Sequence, residues 1–513
     1  MSDLLPQQSP LRVTQLAGRV SRAALARIDH LLVLLPQAPD AATWQQVPDG
    51  TRLRRELAGL GAGADAPALR SRLAAGPGVT LTRAPRAVAT GSRSFQQLKC
   101  AADLVHEALG TRPRHLGILV AGFAPEAADH WTRALLLAAG AAAFRLPEFR
   151  RKPQAGPRLA RVALLGLAQP LDLTRTLVEI EAGNLVRWLT ALPPNRLTAG
   201  AYRELIAGLA EHEDWSLRFL DTAALKRLGA GAFLAVAQGN ASADAGIVHL
   251  AWRPRGRRRP DLALVGKGII FDTGGTNLKP FRAMLDMHQD MCGSAVALAL
   301  LLAITRLKLP LAVDCWLAIT ENRIAPQAYK PRDLVTAADG TTIEVIHTDA
   351  EGRMALADTL VLACREKPGL VIDFATLTGQ CINALTDRYS GVFSNREPLA
   401  GLVVAAGRAS GERVWSFPMD EDFDEDLKST VADVLQCSTE SEGDHILAAR
   451  FLQRFVPRAI PWIHLDLAAA ARKKGLAQVP AGPTGFGVRL VLELLVEQAA
   501  ALARHAAQPV HGD

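Results

Sequence analysis

Short, almost wholly apolar runs punctuate the chain from end to end, and stretches with helical patterning lie between them. Runs of that length suit strands buried on both faces, and such strands need helices to cover them. In the first third, His30–Pro36, Leu116–Ala121 and Arg161–Leu167 read as buried strands and Ala127–Ala143 as a helix. Leu173–Leu192 reads as one long helix, stopped by Pro193-Pro194-Asn195, which cannot continue it. Beyond it, Leu262–Gly266, Ala312–Thr320, Leu370–Phe374 and Trp462–Asp466 repeat the strand signal, with helical patterns at Ser294–Arg306 and Met354–Arg365. Strand–helix alternation predicts an α/β chain in two parts. We expect an N-terminal α/β domain over 1–170, a connecting helix over 171–195, and a larger C-terminal α/β domain over 196–513. The second has a mixed, largely parallel central sheet flanked by helices.

Composition narrows the class. Of the 513 residues 49% are apolar and 21% charged, which excludes a disordered or fibrous chain. The longest apolar runs, near Ala295–Thr305 and Ala134–Phe144, are about half the roughly 20 residues that a bilayer requires, so no membrane span is expected. The start has no basic segment followed by an apolar stretch, so we expect no export signal and a cytoplasmic location. Six scattered cysteines without a CxxC pair are neither a disulfide framework nor a zinc knuckle. Residues 1–180 carry 23 Lys and Arg against 13 Asp and Glu, and the remainder 35 against 38. A basic first third could meet nucleic acid, although arginine on ordinary surfaces accounts for most of it. The basic stretch Arg253–Pro260 reads as an exposed connector, with a phosphate-binding patch as its alternative.

Familiar catalytic motifs are missing. Gly266-Lys267-Gly268 is not a P-loop, and there is neither an HExxH helix nor a G-x-S-x-G elbow. What stands out instead is carboxylates gathered where apolar strands end. Lys267 closes a buried run, Asp272 follows, then a Gly-Gly turn, then Lys279 before Pro280. Asp290 precedes a helix rich in Ala and Leu, and His347-Thr-Asp349-Ala-Glu351-Gly-Arg353 follows later. If the last stretch is extended, Asp349, Glu351 and Arg353 project from one face. Four carboxylates against apolar walls cannot all stay ionised without a cation. Two divalent metals sharing a bridging water would resolve this. Surface salt bridges, or a one-metal phosphoryl-transfer site, remain open on the residues alone.

FDTGGTNLKP, the Asp290-Met-Cys-Gly segment and HTDAEGR resemble the signature segments of the leucyl aminopeptidase family, the cytosol aminopeptidases. The likeness continues through Glu321-Asn322, Ala328–Pro331, Asp373–Gly379, Gly391–Asn395 and Trp462–Asp466, and covers roughly 180–500. It implies that the C-terminal domain is catalytic and hydrolyses the N-terminal residue of peptides, Leu or a similar apolar one. It also implies two divalent ions, Mn, Zn or Mg. Lys267, Asp272, Asp290 and Glu351 would hold the tighter ion, and Asp272, Asp349 and Glu351 the more exchangeable one. Lys267 would have to be neutral to act as a ligand. Lys279 would stabilise charge on the attacked carbonyl, and Arg353 would hold a bicarbonate ion that shuttles the proton. Met287, Thr376 and Ala468 would line the pocket for the first side chain. The likeness further implies a homohexamer acting on peptides. A DNA-binding regulator on the same scaffold is the alternative. Two departures from the family pattern stand out. His347 replaces the usual asparagine, where it is a packed neighbour or a titrating group near the metals. Thr276-Asn277 replaces the usual isoleucine-serine pair.

Overall fold

Each strand signal meets a strand in the computed structural model, which describes residues 4–60, 68–85, 92–152, 159–254, 257–440 and 442–507. The chain divides into two compact units. One comprises Gln7–Glu181 and Lys474–Ala481, the other Met1–Pro6, Ala182–Lys473 and Gly482–Asp513. The division falls inside a helix, Thr174–Ala191, and a short late segment, Lys474–Ala481, joins the first unit.

The first unit is built on six strands: β1 (Arg12–Ala17), β2 (His30–Leu35), β3 (Leu69–Arg72), β4 (Gly78–Arg83), β5 (His115–Val120) and β6 (Arg161–Leu167). Their order is β1-β6-β5-β2-β4-β3, parallel except where the edge strand β3 runs against β4. β2 is buried along its whole length, which explains why its six residues carry no polar alternation. Helices α1 (Arg93–Leu109) and α2 (Pro125–Ala143) bury Leu98, Val105, Leu135 and Leu136 in the core that also holds Leu32, Leu34 and Ile118.

The second unit holds an eight-stranded sheet: β7 (Ser216–Asp221), β8 (Gly246–Trp252), β9 (Leu262–Asp272), β10 (Val313–Asn322), β11 (Val371–Ala375), β12 (Ser390–Ser394), β13 (Val414–Ser416) and β14 (Trp462–Asp466). The order is β13-β12-β14-β11-β9-β10-β8-β7. The four central strands, β14, β11, β9 and β10, are parallel; β12 joins β14 antiparallel with β13 parallel to it beyond, and β8 joins β10 antiparallel with β7 antiparallel to it beyond. Two long helices pack on this sheet, α4 (Cys292–Arg306) and α5 (Glu351–Arg365), after the connecting helix α3 (Thr174–Ala191). Both α4 and α5 are buried almost throughout.

β9 departs from the expected strand. It does not stop at Gly266 but runs to Asp272, so Lys267 lies within it. Phe281–Arg306 is long and apolar enough to cross a bilayer by composition, against the expectation drawn from the apolar runs alone. Here it is a short helix (Phe281–Met284), a 3-10 turn (Met287–Gln289) and α4, and most of it is buried within the fold. Of the basic connector, residues 255 and 256 lie outside the described residues. Arg253 pairs with Asp314 and donates to Val313 O at 2.9 Å, and Arg257 pairs with Asp261 at 2.6 Å. These arginines tie the connector to the fold. All six cysteines are free, five of them buried.

Because Leu300 on α4 is fully buried, Leu300→Ala leaves a cavity that should cost about 2–5 kcal/mol. The check is a lower thermal unfolding temperature than the parent's in calorimetry.

Candidate active site

In a regular strand residues five apart face opposite sides, so Lys267 and Asp272 could not share a site. The register shows how they do. Ile269 pairs with Thr320 and Asp272 with Asn322, so two residues of β9 oppose one of β10 between those pairs. The extra residue is a bulge that brings Asp272 round to the side of Lys267. Lys267 lies midway along β9 and Asp272 closes it, at the carboxyl end of the parallel strands, where open α/β sheets bind their ligands.

Two further carboxylates arrive on helix starts. Asp290 lies just before α4, and Glu351 is the first residue of α5. The partial positive charge of a helix N-terminus favours an anion at such positions. One oxygen from each of Asp272, Asp290 and Glu351 lies within 4.8 Å of the others, and all three residues are buried. Lys267 Nζ pairs with Asp290 at 2.9 Å and Glu351 at 2.8 Å, and donates to Thr376 O at 3.0 Å. Lys279 Nζ pairs with Asp272 at 2.9 Å and Asp349 at 2.5 Å. Thr376 Oγ1 donates to Asp290 Oδ1 at 2.6 Å.

The electrostatics follow from this crowding. Burial opposes the charge on Lys267, but Asp290, Glu351 and Asp272 outweigh it and hold the ammonium far above its usual range. Lys279 is raised in the same way by Asp272, Glu351 and Asp349 against its own burial. Burial raises the carboxyls of Asp290, Asp349 and Glu351, and neighbouring carboxylates add to the effect. The carboxylates alone thus favour the charged form of Lys267, whereas divalent cations beside it would favour the neutral form that a ligand requires.

A cation fits these residues. Asp290 Oδ2 and Glu351 Oε2 are buried without a hydrogen-bond partner, an expensive arrangement for carboxylate oxygens. Carboxylate oxygens suit Mg and Mn, and a lysine amine widens the set to Zn.

The extended reading of 349–353 is wrong. Asp349 sits in a turn and α5 begins at Glu351, so the three side chains diverge at helical angles. Asp349 faces Lys279, Glu351 faces Lys267, and Arg353 turns to Asp444, donating from Nη2 to both carboxylate oxygens at 2.8 and 2.9 Å. The bicarbonate expected at Arg353 meets a carboxylate there. Of the pocket residues, Thr376 touches the cluster directly. Met287 O accepts from Asp290 N at 3.4 Å. Ala468 is buried just past β14, where Leu467 N donates to Ala375 O beside Thr376. His347 is exposed, with Nδ1 3.3 Å from the Asp349 amide.

Several supporting residues were not among the expected site residues. Asn322 Nδ2 donates to Asp272 Oδ1 at 2.8 Å and to Thr348 O at 2.9 Å. Asn277 Oδ1 accepts from Thr348 N at 2.9 Å while its amide donates to Thr348 Oγ1 at 2.8 Å, which ties the Lys279 loop to the Asp349 turn. Gln436 accepts from the amides of Ile346 and His347 and donates to Ala350 O at 3.0 Å. Asn322 lay inside a quoted family segment, whereas Gln436 and Asp444 lay in none. Gly352 is explained by packing: a Cβ there would lie 2.7 Å from Lys267 Cε.

Residues 184–492 match the model of the cytosol aminopeptidase family, catalytic domain. The chain belongs to the cytosol aminopeptidase family. It is a metal-dependent aminopeptidase, an exopeptidase that acts on peptides. A probable cytosol aminopeptidase of Synechococcus sp. (strain CC9902) is 40% identical over 382 residues, 72% of this chain and 76% of the relative. One from Syntrophotalea carbinolica is 44% identical over 315 residues, 61% and 63% of the two chains. Among solved structures, the bottromycin maturation enzyme BotP in complex with Mn is 33% identical with a TM-score of 0.78, covering 92% of this chain and 99% of its own. A mutant of tomato leucine aminopeptidase is 28% identical with a TM-score of 0.80, covering 96% and 98%. Nothing in these comparisons supports the DNA-binding alternative.

Gly352→Ala in this aminopeptidase should displace the Lys267 side chain and leave the fold intact. The expected result is a normal circular dichroism spectrum with reduced bound metal in elemental analysis and reduced peptide hydrolysis.

Proposed function

We propose that the aminopeptidase removes leucine or a similar apolar residue from peptide N-termini, with two divalent cations held by Lys267, Asp272, Asp290, Asp349 and Glu351. The observation that carries this reading is the convergence of three buried carboxylates with unpartnered oxygens on Asp290 and Glu351. Mn, Zn or Mg is the ion, in keeping with the donor set and with Mn in the BotP structure. When bound, such ions lower the pKa of a coordinated water and polarise a carbonyl oxygen.

The chain's own residues supply the rest. Before any cation binds, four carboxylates against two ammoniums leave the site negative, which draws divalent cations into it. Thr376 fixes the Asp290 carboxylate, and Asn322 fixes that of Asp272. Lys279, with its side chain 14% exposed between Asp272 and Asp349, holds a proton-bearing ammonium at the rim of the cluster. There it donates to the substrate oxygen that gains charge during attack, an interaction stronger in the transition state than in the substrate. Met287, Thr376 and Ala468 line the pocket for the first side chain, whose apolar character matches leucine or methionine. We assign the working form to a cytoplasmic homohexamer, following the family resemblance.

Lys279→Ala should lower kcat by about 10²–10³-fold, the usual cost of losing one donor to a developing oxyanion. Asp349→Ala should also lose activity and should retain less metal. The assay is release of the N-terminal residue from a panel of aminoacyl amides with Zn, Mn or Mg added, alongside metal analysis. A metal-loaded, folded protein that cleaves none of the panel defeats the proposal. Light scattering that gives a monomer mass defeats the hexamer.

A further inference from the structure

Arg353 is buried, with 1% of its surface exposed, and a buried guanidinium needs an anion beside it. The resemblance leads one to look for that anion in solution, as bicarbonate. The structure holds it in the chain. Arg353 Nη2 donates to Asp444 Oδ1 at 2.8 Å and Oδ2 at 2.9 Å, while Nη1 donates to Gln436 O at 3.3 Å and Nε is unpartnered. Asp444 opens a ten-residue helix, α6 (Asp444–Gln453), where a negative charge is favoured. Its side chain is 29% exposed, so it reaches Arg353 from the rim of the site.

Bicarbonate and a carboxylate carry the same charge and offer oxygens to a guanidinium in the same way. Placing one beside the other on a single arginine sets like charges against each other. The residues present therefore do not fit a bound bicarbonate. We infer that Asp444 supplies the anionic partner of Arg353 from within the chain and that peptide hydrolysis by this aminopeptidase is independent of bicarbonate. Asp444 is a positioning residue that acts through Arg353. The inference rests on the aminopeptidase reading for its kinetic part only.

The test pairs a binding measurement with kinetics. Titration of the metal-loaded full chain with ¹³C-labelled bicarbonate, followed by NMR, should show no saturable binding, and kcat/KM for leucyl amide should be equal in carbonate-free and bicarbonate-supplemented buffer. Asp444→Ala exposes the guanidinium. It should bind bicarbonate saturably, lose about tenfold in kcat/KM in carbonate-free buffer as a charged hydrogen bond is removed, and recover when bicarbonate is added. Adding Arg353→Ala to that variant should abolish both binding and recovery. A merely structural role for Asp444 would give a loss that no added anion restores. If Asp444→Ala does not fold by circular dichroism, Asp444→Asn, which keeps the shape and removes the charge, takes its place with the same expected gain. Saturable binding or stimulation in the parent overturns the inference, as does a folded Asp444 variant indifferent to bicarbonate. If the parent cleaves no aminoacyl amide, the aminopeptidase reading fails, and the NMR titration still decides where Arg353 finds its anion.

Discussion

Carboxylates packed closer than their charges allow are the constraint on which the second unit is arranged. Asp272, Asp290 and Glu351 converge within 4.8 Å, away from solvent, and two lysine ammoniums lie against them. Such a cluster opposes folding unless each charge meets a cation, a hydrogen-bond donor or a favourable dipole. Each of these is present. Asp290 and Glu351 stand at the starts of α4 and α5, Thr376 and Asn322 donate to Asp290 and Asp272, and Lys267 spans Asp290 and Glu351.

The scaffold serves that convergence at the level of backbone. Without the β9 bulge, Lys267 and Asp272 would lie on opposite faces of the sheet. At Gly274, φ is +87° and a Cβ would approach Asn277 O at 2.4 Å, so the turn that returns Lys279 to Asp272 requires glycine. Gly352 leaves room for the Lys267 stem across the first turn of α5. The glycines of two signature segments thus have separate physical reasons, one conformational and one steric.

Much of this was legible in the sequence because it rests on local signals. Buried parallel strands read as continuous apolar runs, so Arg161–Leu167 and Trp462–Asp466 coincide with β6 and β14. The residues of the carboxylate cluster stood out because charges at the ends of apolar runs require explanation. What failed depended on registry and on distant partners. Periodicity cannot foresee a bulge, so β9 seemed to end at Gly266. The polar start of α5 carries no apolar alternation or cap, since Ala350 precedes it without a side-chain bond, so 349–353 passed for extended chain. Asp444 lies 91 residues from Arg353, and nothing local marks it as the partner of a buried arginine.

That long-range pair also governs the charge left at the centre. Arg353 stands two residues after Glu351 on the same helix, near enough to offset the carboxylates had it turned toward them. Its pairing with Asp444 spends that positive charge outside the cluster. Asp272, Asp290, Asp349 and Glu351 then face Lys267 and Lys279 alone, and the balance stays negative. A site that must draw in divalent cations needs that surplus. Directing one arginine to a carboxylate of its own preserves it without removing a charge from the chain.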